Sequence, residues 1–299
     1  MGEPATRRPI DLPTGRIDYR ELGPADGPPV VLVHGFLVDD GVWADVPERL
    51  AARGLRVLAP TLPLGAHRTP AAADADLSPR GIARIVLSFL EALDLHDVTL
   101  VGNDTGGAIC QFVLDEDASR VGRLVLTNCD AFEVFPPFPF DLLLRLARHP
   151  GPTRVALAAT RWARFRTGPF GFGALVARRP TAAETLPWIT PYLTDPGVRR
   201  DVARFARAWR PADLAAVGGR LAAFDRPVLL CWAPRDRFFR IGLAHRLRDA
   251  FPDARLVEVD QARTFLALDQ PGRLAGEIAG FVPAAQVEAP DRHPASGRG

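Results

Sequence analysis

Asp104 stands between two glycines in the run LVGNDTGGAICQFVL, residues 100–114. A short apolar strand over 98–101 enters Gly102, Asn103, Asp104, Thr105, Gly106 and Gly107, and an apolar segment at helical spacing, with Ile109, Phe112 and Val113, leaves it. Glycines at 102 and 106 admit a tight strand-to-helix turn whose middle residue is held in a strained backbone conformation, its side chain lifted above the sheet. A carboxylate displayed in that way is a nucleophile for an sp³ carbon bearing halide or an epoxide oxygen. Attack leaves an alkyl ester on the enzyme, which a base-activated water must then cleave. As a plain turn residue the same aspartate would bond only its own backbone.

A second stretch matches the first. VVLVHGF, residues 30–36, is a continuous β-branched strand ending in His-Gly. With both stretches in place, the sequence resembles the α/β-hydrolase superfamily in its aspartate-nucleophile branch, the haloalkane dehalogenases and epoxide hydrolases, over roughly residues 12–282. The resemblance implies that the backbone N–H groups of Phe36 and Thr105 are the oxyanion donors. It also places Asp236, in CWAPRDRFF after the seventh predicted strand, as the acid that orients a histidine base.

That histidine is missing. Family members carry Gly-His-Phe after the eighth strand, followed by a Gln-Pro step into the last helix. Here the segment is VEVDQARTFLALDQP. Setting Asp269, Gln270 and Pro271 against that ending puts Phe265 on the phenylalanine and Thr264 on the histidine. A threonine takes no proton from water near neutral pH, so the deacylating half of the family mechanism lacks its base. Either a base comes from elsewhere or hydrolytic turnover is lost. His67, in the long loop beyond the fourth strand, is on the right edge of the sheet, and Asp260 and Arg263 are near by topology; His96, His149, His245 and His293 fall in connectors, on a surface helix and in the tail.

Other family marks are partial. Dehalogenases follow the nucleophile with a tryptophan that holds the leaving halide, where this chain has Thr105. Epoxide hydrolases protonate the opening oxygen with two cap tyrosines, and here Tyr192 is the sole candidate. The residues expected to border the substrate are His34, Trp43, Trp188 and Tyr192, with His34 also expected to buttress the backbone of its loop.

Strands and helices alternate around these residues. An alternating strand is predicted at 15–21 and mainly apolar strands at 30–33, 55–59, 98–101, 123–127, 227–232 and 254–259, and helices are expected near 43–52, 79–93, 243–250 and 273–282. Ser78 is a good cap for the second of these. Such alternation implies an α/β fold with a mostly parallel, doubly wound sheet covered on both faces, binding ligands at the carboxyl ends of its strands. From Asp130 the pattern changes to short helix-like pieces rich in aromatics and broken by GPFGFGA. The expected organisation is a hydrolase core over 10–130 and 215–282, a helical cap over 131–214 inserted after the sixth strand, and loose ends at 1–9 and 283–299. A cap of this kind closes over the site, and its apolar lining implies a small apolar organic substrate.

Composition narrows the partners. All 37 basic residues are arginine, scattered, and the net charge of +2 offers no basic field for nucleic acid. Three cysteines argue against a disulfide framework, and neither a signal core nor a membrane-length apolar run is present. The expectation is a cytoplasmic monomer or homodimer with a small-molecule substrate, no cofactor, no metal and no membrane partner. Two functions stay open: a hydrolase acting on a haloalkane, epoxide or ester through an Asp104 ester, or a non-hydrolytic relative on the same scaffold, a cofactor-free lyase or isomerase or a ligand binder.

Overall fold

The computed structural model describes residues 7–283. Eight strands, β1 Arg8–Leu12, β2 Gly15–Leu22, β3 Pro29–Val33, β4 Arg56–Thr61, β5 Val98–Asp104, β6 Val121–Cys129, β7 Val228–Trp232 and β8 Ala254–Glu258, form one sheet in the order β1-β2-β4-β3-β5-β6-β7-β8. The β1-β2 and β2-β4 pairs are antiparallel and every pair from β4 to β8 is parallel. Parallel neighbours need crossover connections, so helices cover both faces and the central strands carry no polar alternation. Val30 to Val33 of β3 are fully buried in consequence.

One face packs against α2 Pro79–Ala92 and α3 Thr105–Glu116, the other against α1 Val46–Ala51 and α12 Pro271–Phe281. Apolar residues at helical spacing explain α2: Ile82, Ile85, Val86, Phe89 and Leu90 are buried along one side. Ser78 starts the helix, its Oγ accepting the Gly81 N–H at 3.0 Å, a cap worth about 1 kcal/mol. Between β6 and β7 the chain holds helices only: α4 Phe140–Ala147, α5 Pro150–Leu157, α6 Ala163–Arg166, α7 Ala182–Thr194, α8 Pro196–Ala208 and α9 Pro211–Gly218, with short 3₁₀ turns among them. The remaining helices, α10 Ile241–Ala250 and the short α11 Leu266–Asp269, flank β8. No helix among the described residues is long and apolar enough to cross a membrane.

The amino-terminal reading needs correction. Arg8 and Pro9 belong to β1, which pairs with β2, and the Arg7 guanidinium donates to buried Asp40 at 2.8 Å. The run RPIDL carries too few apolar residues to register as a strand; pairing to an edge and an ion pair to a buried carboxylate hold it instead. Residues 1–6 and 284–299, with His293, lie outside the described residues.

Candidate active site

The strand-to-helix turn puts Asp104 where β5 ends and α3 begins, with φ 55° and ψ −132°. A side chain rarely adopts that φ, and the cost is borne because close packing leaves the turn no alternative. Gly106 is part of that packing: a Cβ there would lie 2.1 Å from the Val33 carbonyl oxygen. Lifted off the sheet, the Asp104 carboxyl enters the floor of a cavity of about 120 Å³. Phe36, Leu37 and Thr105 share the floor; Phe140, Leu144, Leu157, Phe170, Phe172 and Ile189 form much of the walls and roof. Asp104, Thr105 and Thr160 are the polar members of an otherwise apolar lining.

Asp104 Oδ2 accepts the Phe36 N–H at 3.2 Å, and the Thr105 N–H also favours its charged form. Asp104 is partly buried and borders a cavity whose lining is otherwise apolar but for two threonines. Burial therefore dominates and, helped by the nearby Asp236 charge, pushes its pKa up to about 7 against the pull of the two amide donors. The groups that hold this carboxylate are also placed to hold the oxygen of an ester or tetrahedral intermediate formed on it.

Asp236 and Thr264 meet. The Thr264 Oγ1–H donates to Asp236 Oδ2 at 2.8 Å, while Asp236 Oδ1 accepts the Phe238 and Phe239 N–H groups at 2.7 and 3.2 Å. Burial raises the Asp236 pKa, opposed first by the Phe238 amide. Two asparagines, which sequence reasoning passed over, tie these loops together. Asn103 Nδ2 donates to Thr264 O at 2.7 Å and Thr127 Oγ1 at 2.8 Å. Asn128 bridges to both backbone groups of Ala233, accepting its N–H at 2.8 Å and donating to its carbonyl at 3.2 Å. Each ends a largely apolar run at the carboxyl edge of the sheet, a signal by which they could have been found.

No histidine among the described residues lines this cavity. His34 is fully buried, its Nδ1–H donating to Gly35 O at 2.9 Å and its Nε2 accepting the Leu62 N–H at 2.8 Å. Burial lowers its pKa, so the ring is a neutral brace for the loop that carries Phe36. His67 is bound to Asp201 of α8 at 3.3 Å and accepts the Gly65 N–H. Asp260 is exposed, and the Arg263 N–H is engaged by Asp269.

The four residues expected to border the substrate do not reach the cavity, and this corrects the sequence reading. His34 braces its loop from behind. Trp43 points from its 3₁₀ turn into the core beneath the sheet, with Val46 and Leu50. Trp188 and Tyr192 lie on the buried side of α7, whereas Ile189 faces the cavity. Trp188 packs edge-on between Phe172 and Phe265, with centroids at 5.0 and 5.9 Å, so it backs a wall residue rather than forming the wall.

Comparison with known proteins agrees with this architecture. A family model described as alpha/beta hydrolase fold matches residues 28–271. Haloalkane dehalogenase 2 of Mycobacterium tuberculosis is 30% identical over 282 residues, spanning 92% of this chain and 94% of the relative. Among solved structures, haloalkane dehalogenase DbeA from Bradyrhizobium elkani superposes with a TM-score of 0.75 at 18% identity, covering 92% of this chain and 97% of that one. The epoxide hydrolase CorEH does so with a TM-score of 0.75 at 17% identity, covering 92% and 98%; at these identities both speak to the fold.

Proposed function

The chain belongs to the alpha/beta hydrolase fold family, and from that premise we propose that it is a hydrolase of haloalkane- or epoxide-type substrates working through an alkyl ester on Asp104. The observation that carries the reading is one carboxyl, held by backbone amides, at the floor of an apolar cavity. The Asp104 oxygen not held by Phe36 attacks an sp³ carbon as the leaving group departs, and the held oxygen becomes the ester carbonyl. Water attack on that ester then places charge on the same oxygen, facing the Phe36 and Thr105 amides. Helices α4 to α9 serve as the cap that keeps bulk water from the ester, with a small apolar molecule as the partner. A cytoplasmic setting fits three free cysteines, all buried.

A second reading rests on Thr264. Its hydroxyl is committed as a donor to Asp236, so the acid has no base to orient, and non-hydrolytic use of the site is the alternative. Incubation with a small haloalkane, followed by intact mass and peptide mapping, separates the two. An alkyl adduct on Asp104 that is absent from Asp104→Asn supports the ester mechanism. An unmodified Asp104 across haloalkanes and epoxides, with the variant behaving as the parent, would move the assignment to the non-hydrolytic reading.

A further inference from the structure

Asp130 lies just past the end of β6, fully buried, and neither of its carboxyl oxygens has a partner at full hydrogen-bonding geometry among the described residues, the Thr105 side chain being the nearby donor that bears on it. Its backbone is well fixed. The Asp130 N–H meets the Asp104 carbonyl at 3.4 Å, and its own carbonyl accepts Gln111 Nε2 at 2.8 Å. A buried carboxylate left unpaired costs several kcal/mol, so a chain that keeps one here holds it as a neutral acid. Burial foremost, then the charge of Asp104, raises its pKa well above the carboxylate range, and the neighbouring Thr105 side chain is the opposing influence. Thr105 in turn lines the cavity beside Asp104. Thr105 therefore adjoins both the substrate space and a buried carboxylic acid that no other side chain pairs with.

From this juxtaposition we propose that Asp130 is a proton reserve that acts through the Thr105 hydroxyl on the leaving oxygen, which makes epoxides the substrate class this site is built to turn over. The proposal rests on the Asp104 ester mechanism above. In the first step Asp104 forms a bond to an epoxide carbon and the C–O bond of the ring breaks. The oxygen takes a proton from Thr105, and Thr105 recovers one from Asp130. Asp104 has by then lost its charge to the ester, so the repulsion that adds to burial in keeping Asp130 protonated is gone when it must ionise. In the second step the Asp130 carboxylate, again through Thr105, takes a proton from the water that adds to the ester carbonyl. Collapse of the tetrahedral intermediate releases the second alkoxide, which takes the proton left on Asp104. Epoxide and water give a diol, and both carboxyls return to their starting states. A halide leaves without a proton, so after haloalkane attack Asp130 is still neutral and supplies no base. The haloalkane ester should accumulate where the epoxide ester turns over.

The test pairs 1,2-epoxybutane with 1-bromobutane and follows the rate constant for Asp104 attack on each, by product release or adduct mass. In Asp130→Asn and in Thr105→Val the epoxide-to-bromide ratio should fall about 100-fold, the scale of lost general acid assistance, and Thr105→Ser should restore it to within about tenfold of the parent. A structural injury lowers both rates together and leaves the ratio unchanged, which overturns the relay; so does an epoxide rate indifferent to Asp130→Asn while bromobutane still alkylates Asp104. Thr105→Val carries the test if Asp130→Asn does not fold. Absence of any Asp104 adduct with either probe removes the ester mechanism and this inference with it.

Discussion

Thr264 Oγ1 donates to Asp236 Oδ2 at 2.8 Å, so the buried carboxylate bonds to a hydroxyl that carries no usable base. An imidazole at position 264 would face the same Asp236 oxygen and be oriented by it. Thr264→His is therefore expected to shorten the lifetime of an Asp104 adduct made with a haloalkane, by up to about 10² to 10⁴ if the ring is accommodated. The check is the decay of the adduct by intact mass after excess haloalkane is removed. A lifetime equal to the parent's in a folded Thr264→His protein means that Asp236 does not address the ester.

The alkylation step should follow the ionisation of Asp104, whose pKa burial pushes up to about 7. A carboxylate attacks and a carboxylic acid does not. The rate of adduct formation with a haloalkane should rise about tenfold per pH unit below that value and level off above it. A profile already flat at pH 5 would show that Asp104 ionises in the ordinary carboxylate range and that the cavity solvates it.

The same group links stability to pH. With its folded pKa raised, Asp104 keeps its proton in the folded chain at pH values where the unfolded chain, near 3.8, has lost it. Its contribution to stability therefore falls as pH rises from about 4 through about 7 and stays low above that. Asp104→Asn removes a charge that is costly to bury, so the variant should gain stability over the parent at pH 8 and show little difference at pH 4. Urea unfolding of both proteins at the two pH values measures it; a gain that is the same at both contradicts the raised pKa.

Glycine spacing, a continuous apolar strand before Asp104 and the His-Gly end of β3 were enough to read the sheet and the turn, because both are local patterns with one steric solution. Thr264 was legible through register: Asp269, Gln270 and Pro271 lead into α12 at a fixed sequence distance from it. The cavity wall was not. In α7, Trp188, Ile189 and Tyr192 are near in sequence, and which of them faces the cavity depends on how α7 sits against Phe172 and Phe265. An aromatic in an amphipathic helix is as useful to the core as to a ligand. Asp130 gave no periodic signal either; a lone acidic residue past the end of an apolar strand reads as a turn until its burial and its missing partners are seen.

Arg166 is the anchor of the helical segment over the site. It is nearly buried, with Nε donating to Thr185 Oγ1 at 2.9 Å and the guanidinium to the carbonyls of Thr160, Arg161 and Ala182 at 2.8, 3.1 and 3.2 Å. Arg166→Met keeps much of the volume but strands those acceptors, at a cost of about 2 to 4 kcal/mol. The loss should be local: faster amide exchange over residues 158–167 and a lower apparent substrate affinity, because Thr160 and Leu157 line the cavity. Unchanged exchange in this stretch would show that α7 alone holds the roof.

Gly35 lies against Asp104 with no room for a side chain. A Cβ built there would stand 2.1 Å from Asp104 Oδ2 and 2.7 Å from its Cβ, well inside any contact that a methyl group and an oxygen accept. Something must move, and the competing positions are the carboxyl and the loop that presents the Phe36 N–H. Either movement breaks the bond between that N–H and Asp104 Oδ2 and spoils the line of attack, since misplacement by about 1 Å can cost about 100-fold in rate. Overpacking of a tight site also costs about 1 to 3 kcal/mol of stability. Gly35→Ala should thus remain folded, unfold at a lower urea concentration, and alkylate with bromobutane at least tenfold more slowly than the parent. A Gly35→Ala protein that alkylates at the parent's rate would mean that the Phe36 amide does not position the nucleophile during attack, and the role of that loop would pass to the Thr105 N–H alone.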